Sequence, residues 1–158
     1  MTSTQSQAGQ LIAKQLWLAL ATSGERGAVE ISYVPFAPVE GRFGVVVSRL
    51  AAHTANLLAG RSTSVLVVDG DPNLEDSYAR SRFSIDVTPH VHAPGSPEAN
   101  AVWTALEARQ GGTVQTLRML PDFTAIALEP ERGRLVLGFA SAHNISGAAI
   151  KELLRKPS

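Results

Sequence analysis

The polar side chains with the most suggestive spacing lie where a predicted strand runs into a predicted helix. Ser48 ends the strand, Arg49 follows it, and His53 and Thr54 fall in the first turn of the helix. Free backbone amides at a helix start, joined by hydroxyl donors and a guanidinium, suit a phosphate group. In the alternative interpretation, Thr54 caps the helix and His53 packs at the surface. The spacing therefore predicts an anion site and leaves the capping interpretation open.

Two further histidines have a spacing that suits a metal ion. His90 and His92 are two residues apart, so both imidazoles lie on one face of an extended strand. Two imidazoles can form part of a metal site, but the sequence places no carboxylate near them as a third ligand. We therefore interpret the pair as surface residues and predict no metal site there.

The composition excludes several kinds of site. The 158 residues contain no cysteine, which excludes disulfides, thiolate zinc sites and cysteine nucleophiles. The 14 basic and 14 acidic side chains balance, whereas nucleic-acid-binding proteins carry a basic excess, so we predict no nucleic-acid partner. No apolar run approaches the ~18–20 residues that span a bilayer, and no secretory signal opens the chain. We therefore expect a cytoplasmic protein with one domain and no membrane contact.

The elements that position these side chains are short strands separated by turns. Period-two alternation and turn residues predict strands at 16–22, 28–37, 43–48, 62–68, 80–89, 123–129 and 134–140, with a turn at 130–133. Helices are predicted at 5–15, 51–59 and 147–156, and a further helix starts at Pro97 with Ser96 as its N-cap. This order of elements predicts a mainly β protein, built as a closed or nearly closed antiparallel barrel with small flanking helices.

Several phrases of the sequence resemble one protein family. They are Leu18–Thr22, Ile31–Ala37, Val47–Leu57, Ser64–Val68, Arg80–Ile85 and Gly133–Phe139. These phrases are similar to the pyridoxamine 5'-phosphate oxidase-related proteins, which are FMN-binding split barrels, and within that family to the haem-utilisation (HugZ-type) branch. The likeness runs from about residue 16 to about residue 145. It implies a six- to seven-stranded antiparallel split β-barrel, with one FMN-binding domain over residues 1–158.

The resemblance also implies where the cofactor lies. It implies a homodimer with FMN in a groove between the subunits and the FMN phosphate where the third strand meets the short helix. The cofactor-binding residues implied are Ser32, Ser48, Arg49, His53, Thr54, Asn56 and Arg82, with Arg80 as the alternative to Arg82. Where the oxidase has cationic side chains, this chain has Glu30, Ile31 and Ser32 on the strand, and Ala52, His53 and Thr54 on the helix. This departure predicts a weaker, more neutral phosphate pocket.

Three functions follow from this reading. We expect a flavin-dependent oxidoreductase whose isoalloxazine ring supplies the electron chemistry, and we assign no catalytic side chain. In the alternative, a haem-binding or haem-degrading protein takes a flat apolar ring in the same groove. Arg82 or His53 then lies near a propionate and a histidine ligates the iron, with His143 as a candidate. A third possibility is a dimeric binding module without a cofactor. The haem-degrading relatives carry an extra C-terminal region and this chain ends at Ser158, which ranks flavin above haem.

Overall fold

The computed structural model describes residues 2–156, and the ends of the predicted domain, Met1, Pro157 and Ser158, lie outside the described residues. The strands are β1 Trp17–Ser23, β2 Val29–Pro35, β3 Ala37–Val39, β4 Arg42–Ser48, β5 Thr63–Val68, β6 Arg82–Val91, β7 Phe123–Val136 and β8 Ala142–Ser146. The helices are α1 Ser3–Lys14, α2 Ala52–Leu58, α3 Pro97–Gln110, α4 Thr113–Arg118 and α5 Gly147–Arg155. Within residues 2–156, no helix has the length and apolar character needed to cross a membrane.

The strands form one curled antiparallel sheet. Its order is β2-β1-β5-β6-β7-β4-β3, and β8 pairs with β7 beside this path. The predicted mainly β split barrel is confirmed, with eight strands in the described part of the chain where the sequence predicts six to seven. From the seven strands predicted, the division of 28–37 at Phe36 into β2 and the start of β3 adds one and β8 adds another. The predicted strands 123–129 and 134–140 merge into β7, which removes one. β2 is an edge strand, which leaves one side of its backbone free along the split.

The main core fills the concave side of the sheet. Leu18 and Leu20 of β1 point into it, as do alternate residues of the other long strands. Helices α1 and α5 close one side of this core with Leu11, Ile12, Ile150, Leu153 and Leu154. α5 begins at the N-cap Ser146, whose Oγ accepts from the backbone amide of Ala149 at 3.2 Å. Burial of these apolar side chains is the main favourable contribution to the fold.

A smaller core lies on the opposite side of β4. There α3 and α4 pack against β3, β4 and the first half of β7 through Ala37, Ala99, Val102, Trp103, Leu106, Val114 and Ala125. The predicted N-cap of α3 is present, since Ser96 Oγ accepts from the amide of Ala99 at 3.1 Å. The α3–α4 layer therefore covers one half of the convex side, and no helix formed by residues 2–156 covers the β2-β1-β5-β6 half.

The predicted turn at 130–133 is wrong, because β7 continues through it. Val87 pairs with Pro130 and Asp86 pairs with Arg132, so Glu131 is the extra residue of a β-bulge. A Cβ on Gly133 would lie 2.5 Å from Cε2 of Phe83, so the glycine is needed for close packing of the strand. Proline and glycine mark bulges as well as turns, and only the pairing with β6 distinguishes the two. The hairpin partner of β7 is therefore β8, Ala142–Ser146, and not the predicted strand 134–140.

Candidate functional site

The strand-to-helix segment predicted as an anion site lies next to the edge strand β2. β4 ends at Ser48, and after a short turn α2 packs against β1 and β2. On β2, Ser32 points away from the side that carries Ile31 and Tyr33, because successive side chains alternate. Ser32 Oγ lies 2.7 Å from Nδ1 of His53, so this hydrogen bond joins β2 to α2. We call Ser32, Ser48, His53, Thr54 and Asn56 the α2 cluster.

Ser48 is engaged in the turn between β4 and α2. Its Oγ accepts from the amide of Leu50 at 3.1 Å and donates to Oδ2 of Asp122 at 3.2 Å. Its carbonyl oxygen accepts from Oγ1 of Thr54 and from the amide of Ala51. The N-cap of α2 is Ala51, with no side-chain cap, so Thr54 does not cap the helix as the alternative interpretation expects. The hydroxyl groups of Ser48 and Thr54 thus stabilise the turn between β4 and α2.

The buried face of α2 carries the remaining members of the cluster. Asn56 Nδ2 donates to Oγ1 of Thr22 on β1 at 3.0 Å. His53 is 9% exposed, and burial lowers the pKa of its imidazole below the ordinary value of 6.5. His53 is therefore neutral at pH 7. The members of the α2 cluster are uncharged, and the carboxylate of Asp122 accepts from one of them, Ser48.

The predicted arginines lie outside the cluster. Arg49 is exposed at the end of β4, and its backbone amide donates to the carbonyl of Asp122 at 2.9 Å. Arg80 donates to the carbonyl oxygens of Asp69 at 2.5 Å and Asp71 at 3.1 Å, so it stabilises the loop before β6. Arg82 is exposed at the first residue of β6 and donates to the carbonyl of Arg80 at 3.2 Å. The structure therefore brings five of the seven predicted residues together around α2. Arg49 directly follows this group, with its side chain exposed, and Arg82 lies on β6.

The other histidines occupy different environments. His90 Nε2 lies 2.8 Å from Oε2 of Glu129, whereas His92 lines a separate cavity between α3 and the start of β4, where burial lowers its pKa. Among residues 2–156, no group of three His, Cys, Asp or Glu side chains is arranged to hold a metal ion. His143, which follows the last predicted strand at 134–140, lies within β8, with Nε2 3.1 Å from Oγ of Ser141. Its position on β8 places four strands between it and β2.

The uncovered half of the convex side was not identified from the sequence. At its β1–β2 end, four large apolar side chains are exposed, by 47% at Trp17, 74% at Val29, 78% at Ile31 and 68% at Tyr33. The rings of Trp17 and Tyr33 meet edge to face with centroids 5.7 Å apart. We call these four residues the outer apolar face. The alternation over residues 28–37 predicts a strand with two faces, but it does not show which of the two faces stays exposed to solvent.

The β6–β7 end of the same side is polar. Ser84 pairs with Arg134 and Asp86 pairs with Arg132, so both arginines lie on the side that continues from the outer apolar face. Arg132 Nε donates to Oδ2 of Asp86 at 2.7 Å, and Arg134 Nη1 donates to Oδ1 of Asn144 at 2.9 Å. Arg132 and Arg134 are two residues apart, which is the spacing of side chains on one face of a strand. The sequence analysis predicted a turn at 130–133 and therefore missed this pair.

Comparisons with known proteins agree with this architecture. A family model described as pyridoxamine 5'-phosphate oxidase matches residues 5–137. A curated protein described as heme oxygenase HutZ, from Vibrio cholerae, is 29% identical over 130 residues, which cover 82% of this chain and 74% of that protein. These matches confirm the resemblance to the family and to its haem-utilisation branch.

Two solved structures share the fold at lower identity. Campylobacter jejuni ChuZ superposes with a TM-score of 0.84 at 21% identity, over 94% of this chain and 61% of ChuZ. A heme binding protein from Mycobacterium smegmatis also gives a TM-score of 0.84, at 22% identity, over 96% of this chain and 61% of that protein. This chain therefore spans less than two thirds of the length of both proteins. Because the family model covers most of the residues that build the sheet and α2, the chain belongs to the pyridoxamine 5'-phosphate oxidase family.

Proposed function

We propose that this protein binds haem as a homodimer, which is the alternative that the sequence raised beside FMN. The observation that carries the proposal is the state of the α2 cluster. Its side-chain donors are bonded within the chain, and its one imidazole is buried and neutral. Such a site lacks the charge that a phosphate needs and keeps a group that suits haem iron.

The donor set does not fit the phosphate of FMN. A phosphate monoester carries close to two negative charges at pH 7 and is held by charge-assisted bonds from arginine, lysine or free amides. Within residues 2–156, no lysine or arginine side chain hydrogen-bonds to the cluster, although Arg49 follows Ser48 directly, and the hydroxyl of Ser48 donates to the Asp122 carboxylate. A phosphate that took Ser48 as a donor would therefore lie close to this carboxylate. These residues weaken FMN binding relative to a site with cations.

The chain does offer what a porphyrin needs. A haem presents a flat apolar ring, two propionates and an iron that takes a neutral imidazole. Arg82 and Arg134 lie on the same side of the sheet and supply guanidinium groups for the propionates. The name heme oxygenase given to the Vibrio cholerae relative, at 29% identity, supports haem as the ligand.

The homodimer is supported by the outer apolar face. Four large apolar side chains on an edge hairpin form a contiguous exposed patch, which in soluble proteins marks an interaction surface. The β2 edge lies beside this patch, so a second copy packed there would also border the α2 cluster. The net charge of zero means that two copies meet little mutual repulsion.

The experiment is a parallel titration of the purified full chain with hemin and with FMN. We expect a saturable Soret band with hemin and unchanged fluorescence of added FMN. Quenching of FMN fluorescence without a hemin response would overturn the proposal in favour of the flavoprotein. A response to neither ligand would overturn it in favour of a binding module without a cofactor.

The dimer is tested separately by light scattering after size exclusion. Ile31→Lys places a charge in the outer apolar face and should convert the protein to monomers. Met119→Lys is the matched control, because Met119 is 83% exposed next to α4, away from this face, and should leave the dimer intact. A wild-type chain that elutes as a monomer at micromolar concentration would overturn the homodimer.

A further inference from the structure

We propose that the free edge of β2 pairs with β2 of a second copy, as antiparallel strands centred on Ile31. This inference rests on the proposed homodimer and names the strand that joins its two subunits. β2 forms one end of the sheet, and within residues 2–156 its only strand partner is β1. The unpaired side of β2 therefore offers backbone hydrogen bonds to another strand.

Hydrogen bonds at both ends of the β1–β2 pair show which backbone groups face the free edge. At one end, the amide of Gly24 donates to the carbonyl of Ala28 at 2.6 Å. At the other end, the amide of Phe36 donates to the carbonyl of Leu16 at 3.2 Å. Bonded pairs alternate with unbonded pairs in an antiparallel ladder, so the even-numbered residues of β2 bond to β1. The odd-numbered residues that direct both N–H and C=O to the free edge are Val29, Ile31 and Tyr33.

Helix α2 does not cover this edge, because it meets the sheet on its core-facing side. Asn56 of α2 bonds to the side chain of Thr22 on β1 at 3.0 Å. His53 of α2 bonds to the side chain of Ser32 on β2 at 2.7 Å. The residues Val29–Ile31 are exposed on both faces of the strand, so a second strand has access to the edge.

β2 lacks the features that keep exposed edge strands from pairing. Such strands are short, carry lysine or proline, or contain a β-bulge. β3, at the other end of the sheet order, has three residues and contains Pro38. β2 has seven residues, pairs with β1 in an uninterrupted register and has its one proline, Pro35, at its last position. β3 is therefore protected against pairing with another chain, whereas β2 is open to it.

A second copy fits this edge in one register. With a two-fold axis at Ile31, this residue lies opposite Ile31 of the partner subunit, and Val29 lies opposite Tyr33 of the partner subunit. Every edge-facing N–H and C=O of residues 29–33 then has a partner. The opposed side chains on the outer side are apolar or aromatic, which stabilises an antiparallel pair. On the other side of the sheet, Glu30 lies opposite Ser32 of the partner subunit, so no like charges meet.

The neighbouring registers are less favourable. An axis at Glu30 places two carboxylates opposite each other, which destabilises the pair. An axis at Ser32 places Val29 opposite Pro35 of the partner subunit, which has no N–H to donate. An axis between two residues places an outward side chain opposite an inward one, against the pleat of the sheet. The sequence of β2 therefore favours the register centred on Ile31.

The first measurement is amide hydrogen exchange of the wild-type full chain, followed by NMR. We expect the edge-facing amides of Val29, Ile31 and Tyr33 to be protected as strongly as those of Glu30 and Val34, which bond to β1. Light scattering on the same sample establishes that the protein is dimeric. Fast exchange of the three edge-facing amides in a dimeric sample would overturn the strand pairing.

The register is tested by engineered cysteines, which report without background because the chain has none. Opposed residues of a bonded antiparallel pair have Cα atoms about 5.5 Å apart, within the range of a disulfide. Ile31→Cys should therefore form a disulfide-linked dimer under mild oxidation. Val29→Cys and Tyr33→Cys should cross-link when mixed but not alone, since each lies about 14 Å from its own copy. Cross-linking of Ile31→Cys with Tyr33→Cys in place of these products would overturn the register.

The contribution of the backbone is tested by two substitutions at one position. Val29→Pro and Val29→Ala both remove the valine side chain, but only the proline removes an edge-facing N–H. Proline is tolerated where the N–H faces away from the sheet, and circular dichroism checks that the fold is kept. Each dimer loses two hydrogen bonds, so we expect the dimer dissociation constant of Val29→Pro to exceed that of Val29→Ala about 30-fold. Equal constants would contradict pairing through the backbone.

The outcomes separate this inference from the proposed function. If light scattering shows a monomeric wild type, the homodimer fails and the strand pairing fails with it. If the wild type is dimeric, but the edge-facing amides exchange fast and the mixed cysteine variants do not cross-link, only the strand pairing is overturned. The hemin titration does not enter either outcome, so haem binding is decided independently.

Discussion

Two polar clusters join a helix to the sheet in this protein, and they use opposite chemistry. The α2 cluster joins α2 to β2 and β4 by hydrogen bonds between uncharged groups and to the carboxylate of Asp122. The second cluster, which we call the α5 ion cluster, joins α5 to β4, β6 and β7 through Glu129. Lys151 Nζ lies 2.6 Å from Oε1 of Glu129, His90 Nε2 lies 2.8 Å from Oε2, and Arg42 Nη2 lies 3.7 Å from Oε1.

The difference shows why a group of basic side chains is not by itself an anion site. Glu129 gathers Lys151, His90 and Arg42, and hydrogen bonds from Lys151 and His90 lower the pKa of Glu129 from 4.5 to about 2. The carboxylate accepts hydrogen bonds from Lys151 and His90, so these donors are already engaged with it. In the α2 cluster, the imidazole of His53 bonds to the hydroxyl of Ser32 instead of a carboxylate. The neutral cluster is therefore the better candidate for ligand chemistry, and the ionic cluster serves stability.

The largest expected effect is the removal of the charge at the centre of the α5 ion cluster. Glu129→Gln leaves Lys151 and Arg42 without their counter-charge and removes the carboxylate beside His90, and we expect a loss of about 2 kcal/mol in the free energy of unfolding. Urea denaturation measures it. Glu131→Gln is the control, because Glu131 is exposed on the same strand and its carboxylate accepts from the hydroxyl of Thr88 at 2.9 Å. Equal losses in the two variants would contradict the stabilising role of the cluster.

The same cluster should make the protein sensitive to acid. The pKa of Glu129 in the folded protein, about 2, lies below its ordinary value of 4.5. Its contribution to stability is therefore complete above pH 4.5 and is lost as the pH falls from 4.5 towards 2. We expect the gap in unfolding free energy between wild type and Glu129→Gln to narrow on acidification to about pH 3. Urea denaturation at the two pH values measures the gap, and an unchanged gap would contradict the depressed pKa.

A smaller effect is expected in the α2 cluster. Ser32→Ala removes one hydrogen bond to a partly buried imidazole, which costs about 1 kcal/mol of unfolding free energy. This loss should not change at about 1 M NaCl, where screening reduces the effect of Glu129→Gln. Ser62→Ala is the control, since Ser62 is exposed and its hydroxyl makes no hydrogen bond among the described residues. A Ser32→Ala effect that shrinks in salt would show that the cluster is ionic after all.

The smallest effect concerns the titration of His53 itself. Burial lowers its pKa below 6.5, so the folded state resists protonation. The neutral ring therefore contributes stability above pH 6.5, and this contribution falls as the pH drops from 6.5 towards the folded pKa. A pH titration of the imidazole Cε1–H signal by NMR, assigned with His53→Asn, measures the midpoint. A midpoint above 6.5 would identify a charged ring and remove the distinction between the clusters.

Local signals in the sequence predicted much of the fold. Ser96 and Pro97 start α3 as predicted, and alternation identified the β1–β2 hairpin and the strand that ends at Ser48. The exception was the stretch around Gly133, where proline and glycine serve a bulge and the close approach of Phe83. A turn and a bulge use the same residue types, so the distinction required the partner strand.

The candidate site, like the fold, was predicted from the sequence in part. Residue types and spacing identified the strand-to-helix segment, the family and a set of polar side chains, because each depends on neighbours within a few positions. The tertiary structure decided what those side chains do. Asp122, 74 residues from Ser48, takes one hydroxyl, and Ser32, 21 residues from His53, orients the imidazole. The protonation state of His53 and the exposure of the apolar hairpin both depend on which residues are buried, and burial arises only when distant strands and helices pack together.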